Sequence, residues 1–121
     1  LEAAHNLSGA TVLHDTLAWP ACAPDAEWRL WLEGRAPEVS LPARSLRFDR
    51  ADLCAQAAIH HAGVAMGRRQ LVQPWIASGQ LVLPFGGFAL PSPQAYYLVH
   101  AARPLPARVQ ALLDWLLGQA I

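Results

Sequence analysis

The sequence predicts an α/β fold with a central mixed sheet flanked by helices, and three observations carry that expectation. Short apolar runs of strand length alternate with longer stretches whose apolar residues recur at helical spacing. Pro and Gly punctuate the chain between these stretches. Of 121 residues, 54% are apolar and 15% charged, enough to fill the core of one compact domain and too apolar for a disordered tail.

Thr11-Val12-Leu13-His14, followed by Asp15, reads as a buried strand. Residues 18–24 hold Pro20 and Pro24 and read as a loop. Asp25 is placed to cap a helix near 25–33, in which Trp28, Trp31 and Leu32 fall at i, i+3 and i+4 and Gly34 marks the stop. Pro37 and Pro42 mark an irregular path to a strand at Leu46-Arg47-Phe48. Asp49 takes the N-cap position of a second helix near 49–62, with Asp52 in its first turn and Gly63 at its end. Val64-Ala65-Met66 reads as a buried parallel strand, and Pro74 to Gly79 as a single helical turn. Leu81-Val82-Leu83 and Tyr96-Tyr97-Leu98-Val99 read as the last strands, joined by a Gly/Pro loop from Gly86 to Pro93. A final helix near 106–119 takes Pro106 in its first turn. It carries Val109, Leu112, Leu113, Leu116 and Ala120 on one stripe, with Trp115 beside it.

Charge and motif content narrow the function classes. Formal net charge is zero, and all nine basic residues are arginines scattered along the chain. A nucleic-acid surface shows as a basic patch or stripe. None is visible, so any DNA contact belongs to a part not contained in this chain. No apolar run reaches the ~18 residues of a membrane span, and the amino terminus has no secretion signal. Cys22 and Cys54 lack CxxC spacing, which favours reduced thiols in a cytoplasmic protein.

No cofactor motif, metal set or catalytic triad is legible. His60 and His61 are adjacent on a helix and point about 100° apart, so they cannot easily share a metal; solvated histidines at a helix end are the plainer reading. Ser8 and Ser78 lack a nucleophile elbow, Cys22 has no obvious base, and Gly86-Gly87 is a turn and not a phosphate loop. The five tryptophans suit packing. Arg68-Arg69 is a solvated pair or a contact to another chain. His14-Asp15, at a strand end, either faces a ligand or makes hydrogen bonds that start the loop.

Three stretches together resemble a known family. The first is Thr11-Val12-Leu13-His14-Asp15 with Trp28-Arg29-Leu30-Trp31-Leu32. The second runs from Phe48-Asp49-Arg50 through Ala57-Ala58 to Gly63-Val64-Ala65-Met66-Gly67-Arg68, then Leu71-Val72, Ser78-Gly79-Gln80-Leu81-Val82 and Pro84-Phe85. The third is Ala95-Tyr96-Tyr97-Leu98-Val99 with the tail from Arg108 to Leu116. In this order they resemble the second half of the effector domain of LysR-type transcriptional regulators, over roughly residues 7 to 120. The pattern is most similar to the subgroup that holds the glycine-cleavage activator and the β-lactamase regulator.

The resemblance implies a type II periplasmic-binding-protein-like architecture, in which two α/β subdomains close on a ligand. Residues 7–95 would form the second subdomain. Residues 96–121 would cross back and lay the final helix on the first subdomain, which, like the DNA-binding domain, this chain does not contain. Its implied partners are a small-molecule effector, DNA through the absent amino-terminal domain only, and further copies of the chain in a homo-oligomer, with no membrane and no enzymatic activity. In the family a small hydroxyl residue often stands near Arg50 or Ala51 and contacts the effector. Here a helix N-terminus and Arg50 favour a carboxylate or phosphate. Arg50 either contacts the ligand or pairs with Asp49 or Asp52. Tyr96 matches a crossover tyrosine that faces either the cleft or the core, and His14 completes the candidate ligand set. A stand-alone solute-binding or interaction module of similar fold is the alternative.

Overall fold

The computed structural model describes residues 4–88, 90–91, 93 and 95–119; Ala120 of the expected apolar stripe, and Ala89 and Ser92 of the expected loop, lie outside the described residues. The chain divides into two units, Leu1–Pro91 and Ser92–Ile121.

The first unit is an α/β sandwich around one parallel sheet. After a short 3-10 turn over Ala4–Gly9, its elements run β1 (Val12–Asp15), α1 (Ala26–Arg35), β2 (Ser45–Phe48), α2 (Ala51–Ile59), β3 (Val64–Ala65) and α3 (Arg69–Ala77). The strand order is β2-β1-β3. β1 pairs in parallel with β2, from Val12 opposite Ser45 to Asp15 opposite Phe48, and with β3 at Val12–Val64 and Leu13–Ala65. A central strand covered on both faces should be apolar throughout, and all four β1 residues are buried. Right-handed crossovers put α1 on one face and α2, which returns past β1 to the far edge, on the other. Val12 accordingly joins Leu7, Trp28, Leu32 and Ala36 in the core beneath α1. Trp28 is also tied to the sheet by its indole Nε1–H, which donates to the Leu13 carbonyl at 2.9 Å.

Several element ends differ from expectation for identifiable reasons. α1 continues through Gly34, where an added Cβ would stand 3.2 Å from Leu90. Asp25 sits at its N-cap without a capping bond, because its carboxylate is turned to Arg29 at 2.7 Å. The N-cap of α2 is Arg50 and not Asp49. Gly63 does not end α2. The helix closes earlier, with His61 at φ 62°, and the bonds Ala62 N to Ala57 O and His61 N to Ala58 O form a Schellman cap. Gly63 is needed for another reason: a Cβ there would lie 2.2 Å from the Thr11 carbonyl oxygen, where β3 enters beside β1.

α3 is longer than the expected single turn and accommodates Pro74 in its interior. The mixed sheet is replaced, among the described residues, by a wholly parallel one. Residues 81–83 form no strand, because the Gln80 and Leu81 amides both bond the Trp75 carbonyl, at 2.9 and 3.0 Å, and fold the chain back onto the end of α3. Residues 96–99 are not a strand either and lie exposed. In the second unit α4 spans Ala107–Gln119 and buries none of its residues; Leu112 and Trp115 are more than half exposed.

Candidate functional site

Three parallel strands point their carboxyl ends the same way, and the order β2-β1-β3 fixes where a ligand crevice belongs. The connection from β1 leaves toward β2, and the chain then crosses to the opposite edge at β3. In sheets of this winding the ligand sits outside the carboxyl ends, at the point where the connections diverge. Here that point lies between β1 and β3, with the end of β2 alongside.

At the β1/β3 corner, charge is concentrated and largely buried. Asp15 ends β1, with its side chain only 5% exposed. Its Oδ1 accepts from the Leu17 amide at 3.1 Å, which turns the chain into the following loop. Thr16 fastens that turn to β2, its amide and hydroxyl both donating to the Phe48 carbonyl, at 2.8 and 3.0 Å. Arg68, the N-cap of α3, reaches back from the exit of β3. Its Nη2 donates to Glu27 Oε1 at 2.9 Å and to the Ala18 carbonyl at 3.2 Å, and stands 3.5 Å from Asp15 Oδ2. One guanidinium therefore links β1, the loop after it, α1 and β3. Burial raises the Glu27 carboxyl above its ordinary value, against the pull of Arg68. Cys54, buried on α2, has its thiol pushed up to about 12, by burial first and then by Asp15 and Glu27. That places it far from nucleophile chemistry at neutral pH.

The corner after β2 is built differently. Arg50 stands at the N-cap of α2 in extended backbone, with no side-chain capping bond. Its fork grips Asp52, Nε to Oδ1 at 2.9 Å and Nη2 to Oδ2 at 2.6 Å, in the open. That hydrogen bond leads the causes that hold the Asp52 carboxyl below its ordinary value, and the amides of Asp52 and Leu53 add to it. The positive end of α2 is thus partly satisfied by its own acidic residue. Ala51, the first residue of the helix, is half-buried.

His14 lies on β1 opposite Arg47 and is buried, and its Nδ1 is the one buried side-chain polar atom without a partner among the described residues. Burial lowers its pKa; Asp25 acts against this and Arg47 with it. Of the four candidate ligand residues, the sheet brings His14, Arg50 and Ala51 to its carboxyl edge. Tyr96 belongs to the second unit and is fully exposed.

Sequence reasoning missed the Arg68–Glu27–Asp15 cluster. Arg68 is neither a freely solvated residue nor paired with its neighbour: Arg69 lies instead over the Phe88 ring, 5.2 Å from its centroid. The available signal was an arginine just past the third parallel strand, facing an acidic residue at the end of the first. His60 and His61 are exposed at the end of α2, as expected of solvated histidines. Among the described residues no three His, Cys, Asp or Glu side chains gather as a metal site, and no helix is long and apolar enough to cross a membrane.

Comparison with known proteins gives this arrangement a context. The family described as LysR substrate binding domain matches residues 3–120. The chain is 42% identical over 115 residues to the HTH-type transcriptional regulator DsdC of Escherichia coli (strain K12), covering 94% of this chain and 36% of that protein. It is 29% identical over 121 residues to the glycine cleavage system transcriptional activator of the same strain, covering 99% and 37%. To the HTH-type transcriptional activator AmpR of Rhodobacter capsulatus it is 33% identical over 99 residues, covering 78% and 32%. The chain thus spans about a third of the length of the curated relatives it matches. No solved structure matches it significantly.

Proposed function

The chain belongs to the LysR substrate-binding domain family, and from that premise we propose that it is the effector-sensing part of a DNA-binding transcriptional regulator, taking a small anionic metabolite at the carboxyl ends of its parallel strands. The observation that carries this reading is the edge itself. β1 and β2 end there side by side, and the N-terminus of α2 brings Arg50 and Ala51 next to them. The amides of a helix start and a guanidinium fork suit a carboxylate or a phosphate, the kind of group that Asp52 already presents to them.

In this reading Arg50 and Ala51 bind the anionic group, and His14 on β1 and Tyr96 are the further candidate ligand residues. Residues 7–95 are the second subdomain of the sensor. Residues 96–121 return to the first, where Leu112, Leu116 and Trp115 of α4 find cover. DNA is contacted by an amino-terminal domain outside this chain, and the regulator acts as a cytoplasmic homo-oligomer without enzymatic activity. Sensing requires that the ligand bind one arrangement of the subdomains better than another, since a ligand shifts an equilibrium only by its difference in affinity.

The test is a metabolite screen by thermal shift on the complete sensing domain, followed by calorimetry of Arg50→Ala. An acidic metabolite should stabilise the domain, and Arg50→Ala should weaken its binding about tenfold or more, the scale of a lost charged hydrogen bond. Unchanged affinity in the variant would remove Arg50 from the site.

A further inference from the structure

Resting on the reading of the carboxyl edge as a ligand site, we propose that Arg68 is a second anion anchor there, its guanidinium held by Asp15 and Glu27 and its remaining donors offered to a carboxylate or phosphate group of the effector. Position comes first. Arg68 follows β3, and its three contacts fall on the end of β1, the loop after β1 and the start of α1. This is the divergence point of the connections, where sheets of this winding place their ligands.

Donor use comes second. An arginine whose work is to join two carboxylates gains most by engaging them through its fork, as Arg50 does with Asp52 through Nε and Nη2. Arg68 spends one nitrogen, Nη2, on Asp15, Glu27 and the Ala18 carbonyl together. Its Nε and Nη1 donors have no partner among the described residues. Exposure agrees: the Asp15 and Glu27 side chains are 5% and 17% exposed, and that of Arg68 is 41% exposed. The two carboxylates are more buried than the guanidinium whose Nη2 they hold, and solvent reaches part of the guanidinium. A planar cation already oriented by buried partners loses little freedom on meeting an anion.

The experiment is an amide NMR titration of the 121-residue chain with sodium phosphate and, separately, sodium succinate, at constant ionic strength. Saturable shifts at residues 16–18 and 67–69 are expected with at least one anion. Succinate alone would identify a carboxylate site, and phosphate alone a phosphate site. Arg68→Lys keeps the charge beside Glu27 and loses the fork, so binding at those amides should weaken about tenfold with the spectrum otherwise intact. Because Arg68→Gln leaves the buried Asp15 and the half-buried Glu27 without their cation, it is paired with Glu27→Gln; this double variant should fold and lose the response. Arg108→Gln, the same loss of charge in the second unit, should not change it. Shifts confined to residues 50–53, indifferent to the Arg68 variants, would overturn the role of Arg68 and leave the α2 site standing. Shifts at neither place would overturn both.

Discussion

Arg68 and Arg50 each follow a strand of the same sheet within a few residues, and each is paired with acid, but one reaches inward and the other stays on the surface. Arg68 satisfies two carboxylates from different elements, separated from it by 53 and 41 residues. Arg50 grips an acid two residues away on its own helix start. Local pairs between exposed side chains contribute little to stability, since water competes and both chains lose freedom. A pair that crosses the fold and carries buried carboxylates is different, because removing its cation leaves charge in a poor solvent. The lesson is that the same residue type, at equivalent places in a repeating β–α pattern, can reach across the fold to distant acids at one corner and close on a local acid at the next.

The comparison breaks if the two arginines cost the same to remove. Arg68→Ala should destabilise the chain by about 2 kcal/mol, below the range for breaking a fully buried pair because the arginine itself is partly solvated. Arg50→Ala should stay within about 0.5 kcal/mol. Urea denaturation at neutral pH measures both. Equal midpoints would mean that the Arg68 network is as dispensable as a surface pair.

Titration sharpens the contrast between buried and open groups. His14 has its pKa lowered by burial from the ordinary 6.5, so the native state takes up its proton later than the unfolded chain does. Its contribution is intact above pH 6.5 and is lost as the pH falls below that value. Glu27 runs the other way. Its raised pKa means that the native state holds a proton the unfolded chain has released, so stability recovers as the pH falls through the raised value toward 4.5. As the pH falls from 7.5 to 4.5, His14 should therefore lower the urea midpoint and Glu27 should oppose that fall. His14→Gln should make the fall smaller and Glu27→Gln should make it larger. A profile unmoved by His14→Gln would show that its unpartnered ring is not what acid attacks.

Much of this was legible in the sequence, and what was not has a common cause. β1, β2, α1 and α4 follow from periodicity, turn residues and Pro placement, all of which act within a few residues. Arg50 and His14 were singled out from their positions after and within strands, and both stand at the carboxyl edge. The misreadings required knowledge of distant neighbours. Gly63 looks like a helix stop in the local sequence, yet it is required by the Thr11 carbonyl 52 residues away. The run 81–83 has strand composition, but a strand needs an edge to pair with, and its first amide, that of Leu81, is taken by the Trp75 carbonyl at the end of α3. Arg68 beside Arg69 reads as surface charge until the sheet order brings Asp15 and Glu27 to it.

The smallest expected effect tests whether Asp52 competes with a ligand or prepares for one. Its carboxylate occupies both arms of the Arg50 fork and draws on the first amides of α2, so an arriving anion finds the same donors already engaged. If Asp52 is a competitor, Asp52→Asn should strengthen phosphate or succinate binding at residues 50–53 by a few fold, because the amide cannot hold the fork as a carboxylate does and no longer repels the ligand. If it orients Arg50, as Asp15 and Glu27 orient Arg68, the same change should weaken binding. Geometry favours competition. Asp52 takes both Nε and Nη2, whereas the acids behind Arg68 take one nitrogen and leave the fork open. Amide NMR of the variant reads the sign directly, and weaker binding in Asp52→Asn would make the two corners alike in kind after all.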